Sequence, residues 1–501
     1  MLQIKNLTVT HTKDLRKIVD NFTFSLGEHD KAAIIGEEGN GKSTLLKLLY
    51  DSRLVENYAE YTGDIIKSGR MGYLAQELTA DQRGLTVYEF FCNTENFYDR
   101  TPAELAEIAR ELGLPYDIFY SDQIIGTLSG GESVKLRLAA LLIIRPDILL
   151  LDEPSNDLDI DALEWLERFI NAADIPVIFV SHDETLLENT ANVIIHLEQV
   201  RRKTMPLHTV SRGGYREYID KRNAARRRQE QVARKEQAEY QKQQEKFRQI
   251  QSRVEHEQNT ISRADPHGGK LLKKKMASVK SMERRFEREH ENMTQLPETE
   301  DEIFVRFDPT ITAPKGKTIL DLHLDTLQNE SGVLAREIHL HVAGGEKLCI
   351  VGANGSGKTT LLRQIAGLLL PRTDIRTAYM PQNYAECMDF SLTPVEFLSH
   401  TGDKDEITEI RTYLGSMRYT SDEMNHPIAE LSGGQKAKLY FIAMNLDRCD
   451  VLLLDEPTRN FSPLSGPVIR RALREYGGTI ISVSHDRKYI DEVCDRVMRN
   501  T

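Results

Sequence analysis

Cysteine is scarce in this chain of 501 residues, and its five cysteines are scattered at Cys92, Cys349, Cys387, Cys449 and Cys494. Their odd number and irregular spacing match neither a disulfide framework nor a zinc site, so a reducing compartment is the default expectation. The chain also lacks an uncharged apolar run of about 18 residues, which a membrane-spanning helix requires. The N-terminus lacks the basic region and apolar core of a secretory signal. These absences predict a cytoplasmic protein without a membrane span.

Positive charge is scarce overall but unevenly distributed. The net charge is −12, which argues against general adhesion to nucleic acids. Residues 212–290 nevertheless contain 22 Lys and Arg against 12 Asp and Glu, an excess of ten positive charges that leaves −22 for the rest of the chain. This asymmetry indicates that one segment has a partner of its own.

The most informative stretch is a glycine-rich turn between an apolar run and a helical pattern. Residues 34–46 read IIGEEGNGKSTLL and fit the phosphate-binding pattern G-x-x-x-x-G-K-[ST]. The glycines allow backbone amides to approach a phosphate, the lysine can reach the terminal phosphates, and the following hydroxyl can hold Mg²⁺. Residues 349–360 (CIVGANGSGKTT) repeat the pattern, which predicts an internal duplication. The predicted phosphate-binding residues are Gly36, Gly39, Gly41, Lys42, Ser43 and Thr44 in the first copy, and Gly352, Gly355, Gly357, Lys358, Thr359 and Thr360 in the second.

Further motifs follow each loop in the same order. Each half contains a strand ending in Gln, a Leu-Ser-Gly-Gly segment before a helix, an apolar run ending in Asp-Glu-Pro, and a strand ending in Ser-His-Asp. Ser129 and Asp152 are 23 residues apart, as are Ser432 and Asp455. Apolar strands that alternate with helices predict an α/β fold with a largely parallel sheet, used twice. The functional residues then lie at the carboxyl ends of strands.

These motifs predict Mg²⁺-assisted hydrolysis of a phosphate bond. Each half has an aspartate to hold Mg²⁺ together with the hydroxyl of Ser43 or Thr359, a glutamate as general base and a histidine that stabilises charge in the transition state. A glutamine would contact the metal or the water. In the order Asp, Glu, His and Gln, these residues are Asp152, Glu153, His182 and Gln76 in the first half, and Asp455, Glu456, His485 and Gln382 in the second. A histidine alone after a strand is more often structural, but the repeated order favours catalysis.

A long polar segment separates the halves. It lacks proline before Pro266, where residues 265–269 (DPHGG) form a turn signal. We predict a helix over 216–262, about 70 Å long and projecting from the domains, and a return helix over 271–293. A solvated spacer is the alternative, but a spacer does not need the excess of positive charge. The candidate RNA-phosphate contacts are Arg226, Arg227, Arg228, Lys270, Lys273, Lys274, Lys275 and Lys280.

The Walker A loop, the Leu-Ser-Gly-Gly signature, the Walker B motif and the Ser-His-Asp switch together resemble ATP-binding-cassette ATPases. Two such cassettes (1–211 and 299–501) joined by a basic helical hairpin (212–298) resemble the ABC-F subfamily of cytoplasmic translation factors over nearly the whole chain. The resemblance implies a monomer whose cassettes close head to tail around two ATP molecules with Mg²⁺. It also implies that each signature contacts the ATP held by the other half: Ser129, Gly130 and Gly131 for the ATP at Lys358, and Ser432, Gly433 and Gly434 for the ATP at Lys42.

The same resemblance implies a partner for the hairpin. It would enter the exit-tRNA site of the ribosome, contact rRNA and P-site tRNA, and act near the peptidyl-transferase centre. The chain departs from the family pattern where the aspartate after Walker B, Asp159 in the first half, is replaced by Ser462 in the second. In the head-to-tail arrangement that the resemblance implies, Ser462 would face the site of Lys42 and Asp159 that of Lys358. We therefore expect unequal ATP sites, with the Lys358 site turning over faster. His11 is the candidate for stacking on adenine in the first half, and the second half shows no clear aromatic.

Three functions are open at this point. The first is a ribosome-associated ATPase, either a housekeeping translation factor or a protector against antibiotics bound at the peptidyl-transferase centre. The second is the ATP-binding subunit of a transporter with separate membrane chains, which has no use for a basic hairpin. The third is a binder of DNA structures, but such proteins usually carry a further basic coiled coil, and this chain stops at Thr501.

Overall fold

The computed structural model describes most of the chain, in two units. The described residues are 1–200, 205–260, 266–291, 294, 307, 310–311, 316–329, 332–417 and 419–500. One unit comprises Met1–Tyr215 and Glu300–Thr501, and the other is Arg216–Thr299. The domain boundaries 1–211, 212–298 and 299–501 are still predictions.

The first half is built on two sheets. Its strands are β1 (Leu2–His11), β2 (Lys17–Leu26), β3 (Lys31–Ile35), β4 (Ala59–Lys67), β5 (Met71–Leu74), β6 (Ile148–Asp152), β7 (Val177–Val180), β8 (Val193–Val200) and β9 (Met205–Arg212). The antiparallel sheet has the order β2-β1-β4, and the six-stranded sheet has the order β5-β6-β7-β3-β8-β9. In the larger sheet β8 and β9 are antiparallel, and the other neighbouring strands are parallel.

Helices flank these sheets and begin at recognisable capping residues. They are α1 (Lys42–Tyr50), α2 (Ala80–Gly84), α3 (Val87–Cys92), α4 (Pro102–Leu112), α5 (Gly130–Ile143), α6 (Ile160–Ala172) and α7 (Glu184–Thr190). At α5 the Ser129 side chain accepts a hydrogen bond from the Glu132 amide, and the Glu132 carboxylate accepts one from the Ser129 amide. This reciprocal cap satisfies two amides of the helix start. The signature serine therefore has a structural role as well as its predicted contact with ATP.

The second unit contains two long helices, α8 (Tyr215–Thr260) and α9 (Pro266–Glu291). They differ from the predicted 216–262 and 271–293 chiefly because α9 begins at Pro266, and proline is tolerated in the first turn of a helix. Residues 266–269 of the predicted turn therefore lie inside α9, and residue 265 lies outside the described residues. After α9 the amide of Thr294 donates to the Glu236 carboxylate at 2.7 Å, so the chain returns alongside α8.

The second half repeats the first. Its elements are β10 (Thr318–Asn329), β11 (Gly332–Ala343), β12 (Lys347–Val351), α10 (Lys358–Leu369), β13 (Thr377–Met380), α11 (Pro394–Leu398), α12 (Lys404–Ser416), α13 (Ser421–Asn425), α14 (Gly433–Leu446), β14 (Val451–Asp455), α15 (Gly466–Glu475), β15 (Thr479–Val483), α16 (Arg487–Val493) and β16 (Arg496–Arg499). Its parallel sheet, β13-β14-β15-β12-β16, has the order of β5-β6-β7-β3-β8 in the first half. The predicted fold class, a duplicated α/β domain with a helical insertion, is confirmed.

A buried ion-pair network joins the two halves. The Arg470 guanidinium on α15 donates to both carboxylate oxygens of Glu184 on α7, at 2.6 and 3.2 Å, and to Glu492 at 3.0 Å. Next to it, Arg487 of α16 lies 3.3 Å from the Asp183 carboxylate. Basic groups of the second half thus meet acidic groups of the first, which fixes how the halves pair. Across the described part of the chain, no helix is both long and apolar enough to cross a membrane.

Candidate nucleotide sites

The two phosphate-binding loops have the same backbone geometry. Gly41 and Gly357 cap α1 and α10 with φ of 84° and 88°, values that disfavour residues with a Cβ. A Cβ on Gly41 would also strike the Ile18 side chain at 1.9 Å. The ammonium of Lys42 donates to two carbonyls of its own loop at 2.9 and 3.0 Å, and that of Lys358 does the same at 2.9 and 2.8 Å. Burial lowers the pKa of both lysines, and an anion in the loop would oppose that effect.

Oxygen donors suited to Mg²⁺ meet at the start of α1 and the end of β6. The Ser43 hydroxyl donates to the Asp152 carboxylate at 2.8 Å, and the Tyr73 hydroxyl donates to its other oxygen at 3.1 Å. Burial raises the pKa of Asp152. In the second half Thr359 and Asp455 line one cavity. The pKa of Asp455 is also raised, because the effect of burial exceeds the opposing effect of the Thr359 hydroxyl. A hydroxyl beside a buried carboxylate fits Mg²⁺, which prefers oxygen ligands.

The glutamate of the first site is held by several donors. Its carboxylate accepts hydrogen bonds from Gln76 at 2.9 Å and Asn156 at 2.6 Å, and His182 Nε2 lies 3.5 Å away. Burial acts to raise the pKa of Glu153, but the hydrogen bonds from His182 and Asn156 and the charge of Lys42 lower it to about 2. The residue has a φ of 50°, a strained value for a side-chain-bearing residue.

The glutamate of the second site has a different environment. Glu456 has nearly the same φ, 52°. Its carboxylate accepts weaker hydrogen bonds, from the His485 amide at 3.3 Å and the Ser484 hydroxyl at 3.5 Å. Burial and the neighbouring Asp455 raise the pKa of Glu456 to about 8, and burial lowers the pKa of His485 to about 4. The two candidate bases therefore occupy the same place in the fold, but their surroundings shift the pKa in opposite directions.

Both candidate sites lie between the halves. The second is a cavity of about 800 Å³, where Ser129 and Gly130 of the first half lie opposite Lys358 and Thr359; Gln382, Glu456 and His485 also line it. Gly131, the next residue of α5, packs near Ala162. The first is a cavity of about 410 Å³ lined by Lys42, Ser43, Thr44, Gln76, Glu153, His182 and residues of the second half. The structure thus brings the predicted residues of the second site together across the interface. In the first site, Gly433 and Gly434 lie against the Glu38 carboxylate and do not line the cavity, and neither does Ser432. The roles assigned to all these residues stay predictions.

The loops after the two Walker B motifs make different contacts beside the two sites. The Asp159 carboxylate accepts a hydrogen bond from the Asn354 amide at 3.1 Å, beside the second site. The sequence predicted that Ser462 faces the first site, but its hydroxyl donates to Ser465 Oγ at 3.1 Å. The carbonyl of the preceding Phe461 instead lies 3.0 Å from His182 Nδ1. At this point the loop presents the Phe461 carbonyl to the site, and the short Ser462 side chain hydrogen-bonds within the loop.

Several residues at these sites were not predicted. Arg459 lines both cavities and pairs with Asp157 at 2.8 Å, and no motif at its position signals this. In the first cavity, the unpredicted Tyr58 lies beside His11, their ring centroids 6.4 Å apart, and stacking of His11 on adenine stays a prediction. The second cavity has Leu334 among its lining residues, in keeping with the missing aromatic in the sequence.

The candidate RNA contacts all lie in the helices of the second unit. In α8, Arg226 pairs with Glu230 at 3.6 Å, and Arg227 and Arg228 are exposed. The α9 lysines with described side chains are exposed: Lys273, Lys274, Lys275 and Lys280. Lys270 lies in α9, but its side chain is outside the described part. Contact of these residues with RNA is still a prediction.

The different loops after the two Walker B motifs lead to an expectation for hydrolysis. We expect Glu456→Gln to lower steady-state ATPase activity more than Glu153→Gln, because the Asp159 carboxylate lies beside the second site, whereas Ser462 hydrogen-bonds within its own loop. A carboxylate can orient the attacking water, and a water misplaced by about 1 Å can lower the rate of hydrolysis about 100-fold. Phosphate release by the two single variants measures the difference. Equal loss, as expected if the sites fire together, or a greater loss from Glu153→Gln would contradict the asymmetry.

Comparison with known proteins agrees with this geometry. The family model described as ABC transporter matches residues 19–156 and 335–459. The chain is 30% identical to the ribosome protection protein VmlR of Bacillus subtilis (strain 168), with 98% of this chain and 86% of VmlR covered. It is 28% identical to ATP-binding cassette sub-family F member 3 of Homo sapiens, over 95% of this chain and 70% of that protein.

A solved structure shows the same fold. It is that of the archaeal ribosome recycling factor aABCE1 in complex with the ribosomal stalk protein aP1, with a TM-score of 0.60 and 21% identity. The alignment covers 99% of this chain and 87% of that one. The chain thus has paired phosphate-binding loops, signatures and Walker B motifs, and it is similar to these proteins over nearly its whole length. The chain belongs to the ABC transporter family of ATP-binding-cassette ATPases and, within that family, to the ABC-F proteins.

Proposed function

We propose that this protein is a cytoplasmic ATPase that binds the ribosome in its ATP-bound form and modulates translation near the peptidyl-transferase centre. Protection of the ribosome against antibiotics is the form of this activity that we favour, because VmlR is named a ribosome protection protein and is aligned over 86% of its length. The observation that carries the proposal is a basic helical insertion between two ATP-binding cassettes.

The insertion has the dimensions and charge of an RNA-binding element. Helix α8 has 46 residues and α9 has 26, which at 1.5 Å per residue gives lengths of about 69 and 39 Å. Exposed cations occur on both, at Arg227 and Arg228 and at Lys273 and Lys274. A local excess of positive charge in an otherwise acidic protein favours contact with phosphates at this element rather than over the whole surface.

ATP hydrolysis would control the lifetime of the ribosome-bound form. Lys42 and Lys358 would hold the phosphates of ATP against the opposite signature, and Ser43 with Asp152 and Thr359 with Asp455 would hold Mg²⁺, which would neutralise phosphate charge. Glu153 and Glu456 would accept a proton from the attacking water, while His182 and His485 would stabilise the transferring phosphoryl group. Hydrolysis would remove this link between the halves and permit release from the ribosome.

The proposed RNA contact has a direct test. Replacing Lys273, Lys274 and Lys275 together with Glu is expected to weaken ribosome binding by more than about tenfold and to flatten its dependence on salt, because fewer counterions are released. Co-sedimentation with ribosomes across a salt series measures both quantities. ATPase activity without ribosomes should be unchanged, because these lysines belong to a unit separate from the nucleotide sites.

A matched control changes the same charge elsewhere. The control replaces three exposed lysines of the cassette unit, Lys5, Lys13 and Lys404, together with Glu. The affinity and the salt slope of this variant should be closer to those of the unmodified protein. Equal behaviour of the two triple variants, or unchanged affinity of the hairpin variant, would contradict an RNA contact and leave α8 and α9 as a spacer. Sedimentation with membranes instead of ribosomes would favour the transporter-subunit alternative.

A further inference from the structure

The two phosphate-binding loops differ in charge inside a shared glycine framework. Residues 37–38 are both glutamate, whereas the corresponding residues 353–354 are alanine and asparagine. The Glu38 carboxylate lies against the other half of the molecule, where it accepts a hydrogen bond from the Gly434 amide at 2.9 Å. The first loop therefore places a negative charge at the start of α14, and the second loop carries no charge at the equivalent position.

The start of α14 is a position that attracts anions. The first amides of a helix have no intrahelical acceptor, and they carry the positive end of the helix dipole. Phosphates and carboxylates both bind there. The space is tight, because a Cβ on Gly433 would lie 3.2 Å from the Glu38 carboxylate. The carboxylate thus fills the place that an anion would take at this helix.

A second contact holds the loop in this arrangement. The neighbouring Glu37 carboxylate lies 3.9 Å from the ammonium of Lys438, one helical turn further along α14. Lys135, at the corresponding position of α5, lies instead over the Trp165 ring at 4.8 Å. Both glutamates of the first loop therefore engage the same helix of the opposite half, and the second loop lacks this attachment.

The second site shows the arrangement without the carboxylate. There the Asn354 side chain donates to the Asp157 carbonyl at 2.6 Å, and the Asn354 amide donates to Asp159. At the start of α5, Gly130 lines the cavity together with Lys358, and the loop side chain next to it is the neutral Asn354, 3.4 Å from the Cβ position of Gly130. That cavity, at about 800 Å³, has roughly twice the volume of the first, at about 410 Å³. An anion held by Lys358 thus meets no carboxylate from its own loop at this helix start.

We propose that Glu38 is a nucleotide-selecting residue, whose carboxylate competes with the terminal phosphate of ATP for the start of α14. A terminal phosphate can take this position only if the carboxylate withdraws, and it then lies beside a like charge. ADP is one phosphate shorter and avoids both costs. The first site therefore prefers ATP over ADP less strongly than the second. This inference concerns nucleotide binding and does not depend on the proposed role at the ribosome.

Binding to the first site alone tests the inference. Lys358→Ala removes the phosphate contact of the second site, and dissociation constants are then measured for ADP and for AMP-PNP, a non-hydrolysable ATP analogue, with Mg²⁺. In this background Glu38→Asn is expected to tighten AMP-PNP binding by about tenfold, because it removes the competing charge. The ADP constant should change by less than about twofold. Glu38→Gln, which keeps the side-chain length, is expected to act in the same way.

Two further variants serve as controls. Glu37→Ala removes the same charge without freeing the start of α14, so it should change the two constants by similar factors. In a Lys42→Ala background, Asn354→Glu is expected to weaken AMP-PNP binding at the second site by about tenfold while retaining ADP binding, which also shows that the variant folds. The inference is overturned if Glu38→Asn leaves AMP-PNP binding unchanged, weakens it, or tightens AMP-PNP and ADP equally.

Discussion

Changing Glu153 and Glu456 together to Gln is expected to lower ATP turnover by about 1000-fold and to leave ATP binding intact. The expected loss is within the range that a positioned general base contributes. Glutamine keeps the size of glutamate and can still hydrogen-bond to Gln76 and Asn156, which hold Glu153 in place. Phosphate release measures turnover, and retention of labelled ATP on a filter measures binding.

The control for this variant is a matched pair of surface changes. Glu95→Gln and Glu409→Gln alter one exposed glutamate in each half, and together they should leave turnover unchanged. If the Glu153→Gln, Glu456→Gln protein kept ordinary turnover, these two glutamates would not be the general bases. A loss of ATP binding together with turnover would instead give them a role in holding the sites together.

Replacing Arg470 with Met is expected to have the largest effect on stability. The Arg470 and Glu184 side chains are 3% and 8% exposed, so the substitution leaves a buried carboxylate without its bidentate partner. Breaking such a pair typically costs 3–5 kcal/mol, and the nearby Lys488, at 3.3 Å from Glu184, favours the lower end, about 3 kcal/mol. Urea unfolding, monitored by Trp165 fluorescence, measures the change.

Two comparisons separate the lost ion pair from lost packing. Adding Glu184→Leu to Arg470→Met removes the stranded carboxylate, and we expect it to restore most of the lost stability. Arg53→Met breaks an ion pair with Asp51 in which the Arg53 side chain is 80% exposed, and it should have no measurable effect. If the buried and exposed substitutions behaved alike, the network would not hold the halves together.

Much of the site could be predicted from the sequence because its residues follow short local patterns. A buried apolar strand that ends in Asp-Glu-Pro places both carboxylates at the carboxyl end of the strand, whatever its position in the sheet. The duplication supported the assignment of these motifs independently, because they recur in the second half in the same order and at the same spacing. The capping residues of α5 and α14 are likewise local, so the starts of these helices could be read directly.

What escaped prediction depends on pairs of residues that are far apart in the chain. Glu38 and Gly434 are separated by 396 positions, and Glu184 and Arg470 by 286. No periodicity connects such pairs, because they meet only when the two halves pack. Ser462 shows the same limit: its position in the loop suggested a site residue, but its short side chain hydrogen-bonds within the loop.

The most direct test of the proposed function is ribosome binding by the Glu153→Gln, Glu456→Gln protein in the presence of ATP or ADP. Because this variant should keep ATP but not hydrolyse it, the ATP-bound form should persist on the ribosome. Co-sedimentation is expected to show affinity at least about tenfold higher with ATP than with ADP, a difference of about 1.4 kcal/mol in binding free energy. Equal affinity with the two nucleotides, or no binding at low salt, would contradict an ATPase that acts on the ribosome.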